Sequence, residues 1–192
     1  MNVKSIRYPL ALAFVLVAVL AGFAQTGAPV ARYTATTANT SSPGDPVRFD
    51  LLRWSTDAER NQLFAAVGAT GESTLAGLLQ RAPTIGYIWT TESAGYPLRY
   101  AYRAAMPDGG ERIIMAIDRQ LGSYEPQRWK LTGGAKLMDY PFTIIELHFS
   151  KAGLGEGKAS LATKVDADKD AKTIALENYG GAPVLFMGVK KS

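Results

Sequence analysis

The sequence predicts a mainly β domain of the α+β class, in which two short N-terminal helices precede about seven antiparallel strands in a meander. The strands are expected to curl into a half-barrel or to form a sandwich. Between residues 56 and 80, apolar residues recur at helical spacing, and from Thr84 onward they alternate with polar residues. Short polar connections separate the alternating runs, as tight antiparallel turns require.

Residues 1–24 have the three-part pattern of a cleavable secretory signal peptide. Lys4 and Arg7 supply positive charge, residues 10–21 are apolar, and small residues precede a predicted cut after Ala24. We therefore expect an exported protein, located in the periplasm or outside the cell.

An uncleaved membrane anchor is the alternative interpretation of this N-terminus. The uncharged stretch 8–31 is long enough to cross a bilayer, but its second half contains Gln25, Gly27 and Pro29. The chain has no cysteine, which excludes a lipid anchor on cysteine and any disulfide. Cleavage is therefore favoured, and no membrane contact is expected after it.

The net charge argues against one class of partner. The chain has 21 basic and 17 acidic side chains, but Lys4 and Arg7 belong to the signal peptide. The mature chain is then nearly balanced, at 19 basic and 17 acidic side chains. This balance gives no electrostatic reason to expect nucleic acid or an anionic membrane as a partner.

Residues 25–46 are rich in Thr, Ala, Ser, Gly and Pro, and Tyr33 is the main exception. Such a segment buries too little apolar surface to offset the entropy of ordering it, so we predict a disordered linker. Residues 47–192 then form a single strand-rich domain, with a length sufficient for one hydrophobic core.

Two helices are predicted at the start of this domain. Thr56 and Glu59 have capping-box spacing, which places a helix start at Thr56, and Gly68 is a suitable stop. The second helix runs from about residue 72 to 80, and Pro83 prevents its continuation.

The strands are predicted from alternation and turn residues. Tyr100 and Tyr102 alternate with Arg99 and Arg103, which predicts an inner face of rings and a solvated outer face of charges. A long loop is expected over residues 119–140, and long loops of this kind are often functional. The seven strands are predicted at residues 85–89, 98–103, 112–117, 142–150, 158–165, 173–179 and 184–189.

Aromatic residues cluster in the first half of the sheet and in the long loop. Tyr and Trp near arginines are suited to line a ligand pocket, although they are also favoured strand and core residues. The candidate ligand-binding residues are Tyr87, Trp89, Tyr100, Tyr102 and Trp129.

His148 is the only histidine, and it shares a strand face with Glu146. No Gly-x-Ser-x-Gly sequence is present, and one His without Cys is too few ligands for a typical zinc site. We therefore expect a half-exposed His paired with a neighbouring carboxylate, and assign no catalytic residue, metal or cofactor.

Asp166, Asp168 and Asp170 match three ligand positions of a calcium loop, and Glu177 matches the last. Ala171 stands where the loop requires Gly, and strands are predicted on both sides. A solvated hairpin turn is therefore the favoured interpretation.

The chain resembles other proteins most clearly in four segments, 49–55, 82–90, 139–146 and 176–179. Over most of residues 47–190 the chain resembles a group of small secreted bacterial proteins of uncharacterised activity. The resemblance implies bacterial export and a single domain, and it implies no site residues.

These observations favour an exported, non-enzymatic domain that binds a small ligand or a partner protein in the cell envelope or outside the cell. The alternative is an envelope hydrolase that uses carboxylates such as Glu146 and Asp118 with His148. A third hypothesis is a structural envelope protein that acts through an exposed sheet edge.

Overall fold

The computed structural model describes residues 27–69, 72–91, 95–134 and 136–192, and the predicted signal peptide lies outside these ranges. The described residues form two helices, α1 (Asp57–Ala69) and α2 (Glu72–Arg81). They also form ten strands: β1 (Ala31–Thr37), β2 (Pro46–Leu51), β3 (Gly86–Trp89), β4 (Tyr96–Ala105), β5 (Glu111–Ile117), β6 (Thr143–Phe149), β7 (Gly155–Ala159), β8 (Val165–Asp168), β9 (Thr173–Leu176) and β10 (Phe186–Lys191).

Eight strands close into an antiparallel barrel. Strands β1 to β7 pair in sequence order, and β10 completes the ring by pairing with both β7 and β1. At the closure, Tyr33 lies opposite Lys191 and Thr37 lies opposite Phe186. The mainly β, antiparallel prediction is therefore confirmed, whereas the half-barrel and the sandwich are wrong because the sheet closes on itself. Because the barrel is closed, it has no edge strand through which a structural envelope protein could act.

Strand β1 lies within residues 25–46, which composition predicts to be a disordered linker. That prediction is wrong for the described part of the segment, where Tyr33 is fully buried and Ala35 nearly so. Strand β1 pairs on both sides, with β2 and β10. The two neighbouring strands supply its backbone hydrogen bonds, and amino-acid composition gives no information on this contribution.

The helices follow two strands and are therefore not N-terminal to the sheet, which corrects the predicted order. Their own bounds agree with the prediction, and the capping box forms at the start of α1. The Thr56 N–H donates to Glu59 Oε2 at 2.7 Å, and the Glu59 N–H donates to Thr56 Oγ1 at 3.2 Å. Neither helix of the described chain is long and apolar enough to cross a membrane.

The interior of the barrel is filled by apolar side chains. Phe49 and Phe186 meet edge to face with ring centroids 5.3 Å apart. Eight-stranded barrels have room for packed side chains or for one small ligand. Here the interior core includes Tyr33, Val47, Phe49, Leu51, Ile88, Leu98, Ala101, Ile113, Met115, Ile117, Ile145, Leu147, Phe149, Phe186 and Val189.

A second layer covers the outer face of β4, β5 and β6. It consists of α1, α2 and the two-stranded hairpin β8–β9, which leaves the barrel between β7 and β10. The buried side chains between the layers include Leu63, Leu75, Leu79, Tyr100, Ile114, Phe142, Ile144, Ile174 and Leu176. The candidate site described below lies at the margin of this layer.

Strand β4 has an irregular register between Leu98 and Tyr100, where two steps of β4 oppose one step of β5. Leu98 and Ala101 belong to the barrel interior, whereas Tyr100 belongs to the outer layer with Tyr102 packed beside it. The prediction that the rings face inward and the arginines outward is therefore wrong. The irregularity resets the alternation, and the covered face of this sheet is its outer one.

The predicted strand 158–165 is also wrong, since β7 ends at Ala159 and β8 begins at Val165. Ser160 Oγ accepts the N–H of Ile144 at 2.9 Å and replaces the next strand partner. Leu161 is buried here without regular strand pairing. Its apolar side chain therefore fits the alternation expected of a strand although no strand forms at this residue.

The long loop predicted at 119–140 is confirmed, because no helix or strand forms between β5 and β6 in the described residues. The loop covers one end of the barrel, where Leu121 and Trp129 join the interior core. Thr143 Oγ1 accepts the Leu121 N–H at 2.8 Å and anchors the loop to the first residue of β6.

Candidate functional site

The five aromatic residues predicted to bind a ligand lie in three places. Tyr87 and Trp89 lie together on β3, with ring centroids 5.4 Å apart. Tyr100 and Tyr102 form a second pair on the outer face of β4, at 6.5 Å. Trp129 is buried at the end of the barrel covered by the long loop. The structure therefore brings together each pair but not the set.

The second pair has a buried and a partly exposed member. Tyr100 is fully buried, and its hydroxyl lies 2.7 Å from Thr173 Oγ1 of the hairpin. Burial raises the pKa of the Tyr100 phenol. The Tyr102 hydroxyl accepts a hydrogen bond from Arg60, whose guanidinium carbon lies 4.9 Å from the centre of the Tyr102 ring. Tyr102 thus reaches the surface, at the rim of a cleft.

His148 is paired with a carboxylate, as predicted. Its Nε2 lies 2.7 Å from Glu146 Oε1, and its side chain is 24% exposed. The imidazole also stacks on Tyr179, with ring centroids 3.6 Å apart and planes inclined by 5°. These contacts fix both the position and the plane of the ring.

Glu146 is a buried carboxylate with donors from three strands. Its side chain is only 2% exposed. Besides His148, it accepts the Leu176 N–H of β9 at 3.0 Å, and Arg112 Nη1 of β5 lies 3.5 Å from its Oε1. Burial of a charge costs free energy unless hydrogen bonds replace water, so this set of donors holds Glu146 in place.

Arg112 joins the barrel to the hairpin. It lies opposite His148 in the β5–β6 register and pairs with both Glu146 and Asp168. Asp168 Oδ1 also accepts the N–H groups of Asp170 and Ala171, each at 2.9 Å. The predicted hairpin turn is confirmed here. Asp168 both accepts hydrogen bonds within its own turn and pairs with Arg112.

Acidic and basic residues face one another across β6 and β7. Glu146 is opposite Lys158, and His148 is opposite Glu156. Lys158 Nζ donates to the Tyr179 carbonyl at 2.7 Å and lies 4.5 Å from the centre of the Tyr179 ring. Burial raises the pKa of the Tyr179 phenol, so this ring is a neutral cover over the charged residues.

A cleft of about 630 Å³ opens beside His148, and we call it the His148 cleft. Its walls come from α1, from the end of β4 and its turn, and from the turn between β8 and β9. It is lined by Arg60, residues 102–107, Arg112, His148, Asp168 and residues 170–172. Four separate parts of the sequence therefore converge, and the sequence offered no signal for their convergence because the contacts are long-range.

The exposed charges of the His148 cleft are mainly positive. Arg103 is 57% exposed, and the nearest carboxylate oxygen, on Glu111, is 3.9 Å away. Lys172 is exposed and forms no ion pair with any residue that the structure describes. The guanidinium carbon of Arg103 also lies 5.8 Å from the centre of the Trp54 ring, so Lys172 is the more available of the two cations.

The other carboxylate considered for hydrolysis, Asp118, is far from His148. Asp118 follows the end of β5, six residues from Arg112, which at about 3.3 Å per residue corresponds to roughly 20 Å. Burial alone would raise the pKa of Asp118, but hydrogen bonds from Arg119 and Arg99 hold it below its usual value. Asp118 is therefore part of a separate ion-pair cluster.

A second cavity of about 540 Å³ lies under the long loop. Trp129, Leu121 and Leu161 form its apolar side, and Gln120 and Asp139 are among its polar residues. It contains one of the five predicted ligand-binding residues, whereas the His148 cleft contains Tyr102.

No protein-family model matches the chain, and neither does any curated protein or any solved structure.

Proposed function

We propose that this protein is an exported, non-enzymatic domain that binds a small ligand in the His148 cleft. The observation that carries the proposal is the construction of the cleft. A buried network around Glu146 fixes its floor, while Arg103 and Lys172 on its walls stay exposed. Pre-organised concave sites with a few convergent polar groups are typical of ligand binding. Export is inferred from the signal pattern of residues 1–24.

The contents of the cleft favour binding over covalent catalysis. None of the described residues that line it is a Ser, Thr or Cys, so it offers no hydroxyl or thiol of those types as a nucleophile. Glu146 already accepts from three donors. Such a carboxylate is suited to hold its neighbours in position.

The hydrolase alternative is supported by one observation, the pair of His148 and Glu146. A carboxylate within hydrogen-bond distance of an imidazole is the arrangement that orients a general base. His148 could then activate a water molecule directly, without a nucleophilic side chain. A binding experiment that also detects turnover separates the two functions.

The test is a fragment screen against ¹⁵N-labelled mature protein, in which backbone amide shifts locate each binder. We expect binders to shift amides of the cleft, and these shifts to disappear in Ala105→Trp, which fills the cleft mouth from an exposed position. Ala152→Trp is the matched control, because Ala152 is exposed in the turn between β6 and β7. Binders that cluster at the cavity under the long loop, or that survive Ala105→Trp, would refute the proposal.

The same samples report on catalysis. One-dimensional proton spectra of the bound fragments, recorded over a day, should show no products. Products that form with the natural chain and not with His148→Gln would establish the hydrolase instead.

A further inference from the structure

We infer that the ligand of the His148 cleft is a small organic anion, with carboxylate or phosphate oxygens bound between Arg103 and Lys172. This inference rests on the proposed function and specifies its ligand class. It depends on which charges of the cleft are already satisfied within the protein and which are not.

The carboxylates near the cleft are mostly occupied. Glu146 is buried and accepts from His148, Arg112 and a backbone N–H. Asp168 pairs with Arg112 and accepts two N–H groups of its own turn. Neither carboxylate has much capacity left for a cationic ligand, because its lone pairs are directed at donors of the protein.

The cations retain their binding capacity. Arg103 has five N–H donors, and its contacts are a carboxylate oxygen at 3.9 Å and the Trp54 ring, whose centre lies 5.8 Å from the guanidinium carbon. Lys172 has three donors and no ion pair among the described residues. Arg60 also lines the cleft and pairs with Asp57, whose side chain is 80% exposed. The Arg60 side chain is only 16% exposed and also donates to Tyr102 and Asn61, so Arg60 adds positive charge to the cleft but few free donors.

One carboxylate opposes this preference. Asp170 lines the cleft from the tip of the turn and forms no ion pair with a described residue. Its charge should lower the affinity for an anion. Removal of the Asp170 charge should therefore strengthen anion binding, whereas removal of the Lys172 charge in the same turn should weaken it.

The apolar part of the lining indicates an organic molecule. Tyr102, Met106 and Pro107 contribute a ring and aliphatic surface next to the cations. A short carbon chain carrying one or two anionic groups matches this combination, since apolar walls with a few charged groups both orient and desolvate such ligands.

The experiment uses three four-carbon probes that differ in charge: succinate, its neutral diamide succinamide, and the dication putrescine. Each is titrated into ¹⁵N-labelled mature protein at low salt. We expect only succinate to shift the amides of residues 102–107 and 170–172, with saturation in the millimolar range. The apparent affinity should fall as NaCl is added, because salt screens exposed charges.

The variants test the assignment of charges. Lys172→Gln should weaken succinate binding about three-fold and Asp170→Asn should strengthen it by a similar factor, the size typical of single exposed charges. Lys164→Gln is the matched control. Lys164 precedes β8 and lies roughly 13 Å along the strand from Asp168, beyond a Debye length in physiological salt, so the three variants are compared at that salt concentration.

The outcomes distinguish this inference from the proposed function. If succinamide or putrescine binds the cleft as well as succinate does, the anion assignment is refuted while the cleft remains a binding site. If none of the three probes shifts the cleft amides, the anion assignment is also refuted, and the fragment screen with Ala105→Trp decides separately whether the cleft binds anything.

Discussion

The imidazole of His148 and the phenol ring of Tyr179 lie parallel, with ring centroids 3.6 Å apart. One face of the only histidine in the chain is thereby covered, although Tyr179 follows the end of β9 and His148 belongs to the barrel. The stack therefore fastens the segment after the hairpin to β6.

Replacing Tyr179 should expose this histidine face. Tyr179→Leu should destabilise the fold by about 1 kcal/mol, the usual contribution of an aromatic pair beyond its area. It should also remove the ring-current shift from the His148 ring protons, whereas Tyr179→Phe should retain it. Proton NMR resolves these signals without assignment, because the chain has a single histidine. Unchanged His148 shifts in Tyr179→Leu would mean that the rings do not stack in solution.

Loss of the Glu146 carboxylate should be among the most damaging single changes at the cleft. Glu146→Leu leaves His148, Arg112 and the Leu176 N–H without their shared acceptor in a buried place. We expect a cost of about 3–5 kcal/mol, typical of breaking a buried ion pair, measured by urea unfolding. Glu156→Leu, on the neighbouring strand and partly exposed, is the control and should cost under about 1 kcal/mol. Equal costs would contradict the role given to Glu146.

The capping box makes a pH-dependent contribution to stability. A hydrogen bond from Arg53, with further help from Thr56, lowers the pKa of Glu59 to about 2. A lowered pKa means that the stabilisation is complete above about pH 4.5 and is lost as the pH falls toward 2. Glu59→Gln should therefore be less stable than the natural chain by roughly 1 kcal/mol at pH 6 and no less stable at pH 2.

Urea titrations at several pH values measure this difference. A gap that persists undiminished at pH 2 would show that the carboxylate charge is not the cause. Glu177→Gln, at an exposed position just after β9, should show no gap at either pH.

Tyr33 should limit stability in alkaline solution. Burial raises its pKa to about 12, and its hydroxyl has no hydrogen-bond partner among the described residues. A raised pKa means that its contribution is complete below pH 10 and is lost as the pH rises toward 12. Tyr33→Phe should be more stable by about 1 kcal/mol at pH 8, because it removes an unsatisfied buried hydroxyl. Its advantage should grow between pH 10 and 12, and a Tyr33→Phe chain less stable at pH 8 would reveal a partner for the hydroxyl.

Local signals in the sequence predict local structure well in this protein. The predicted capping box of Thr56 and Glu59 forms, and both helices have nearly the predicted bounds. Glu146 and His148 share a strand face, as predicted, and their side chains pair. Each of these depends on residues within a few positions of one another, where helix and strand periodicity fixes the geometry.

The features that the sequence could not predict mostly depend on contacts between residues that are far apart in the chain. Strand β1 pairs on one side with β10, at the other end of the chain, and this pairing closes the barrel. The inner face predicted for Tyr100 is wrong, because one irregular step in β4 reverses the alternation of its side chains. Arg112 carried no signal of its importance, since its partner Asp168 lies 56 residues away.

Strands β7 and β10 are hydrogen-bonded neighbours, so everything between Ala159 and Phe186 is an excursion that begins and ends at adjacent points of the barrel. The excursion supplies Asp168, Asp170 and Lys172 to the cleft. Its two ends are bound to the barrel, where the Ser160 N–H donates to the Ile144 carbonyl and the Leu185 N–H donates to the Gly157 carbonyl. The turn at residues 169–172, between these ends, is therefore the part whose length and composition can change with the least effect on the barrel. The fold thus separates the strands that close the barrel from the turn that forms one wall of the cleft.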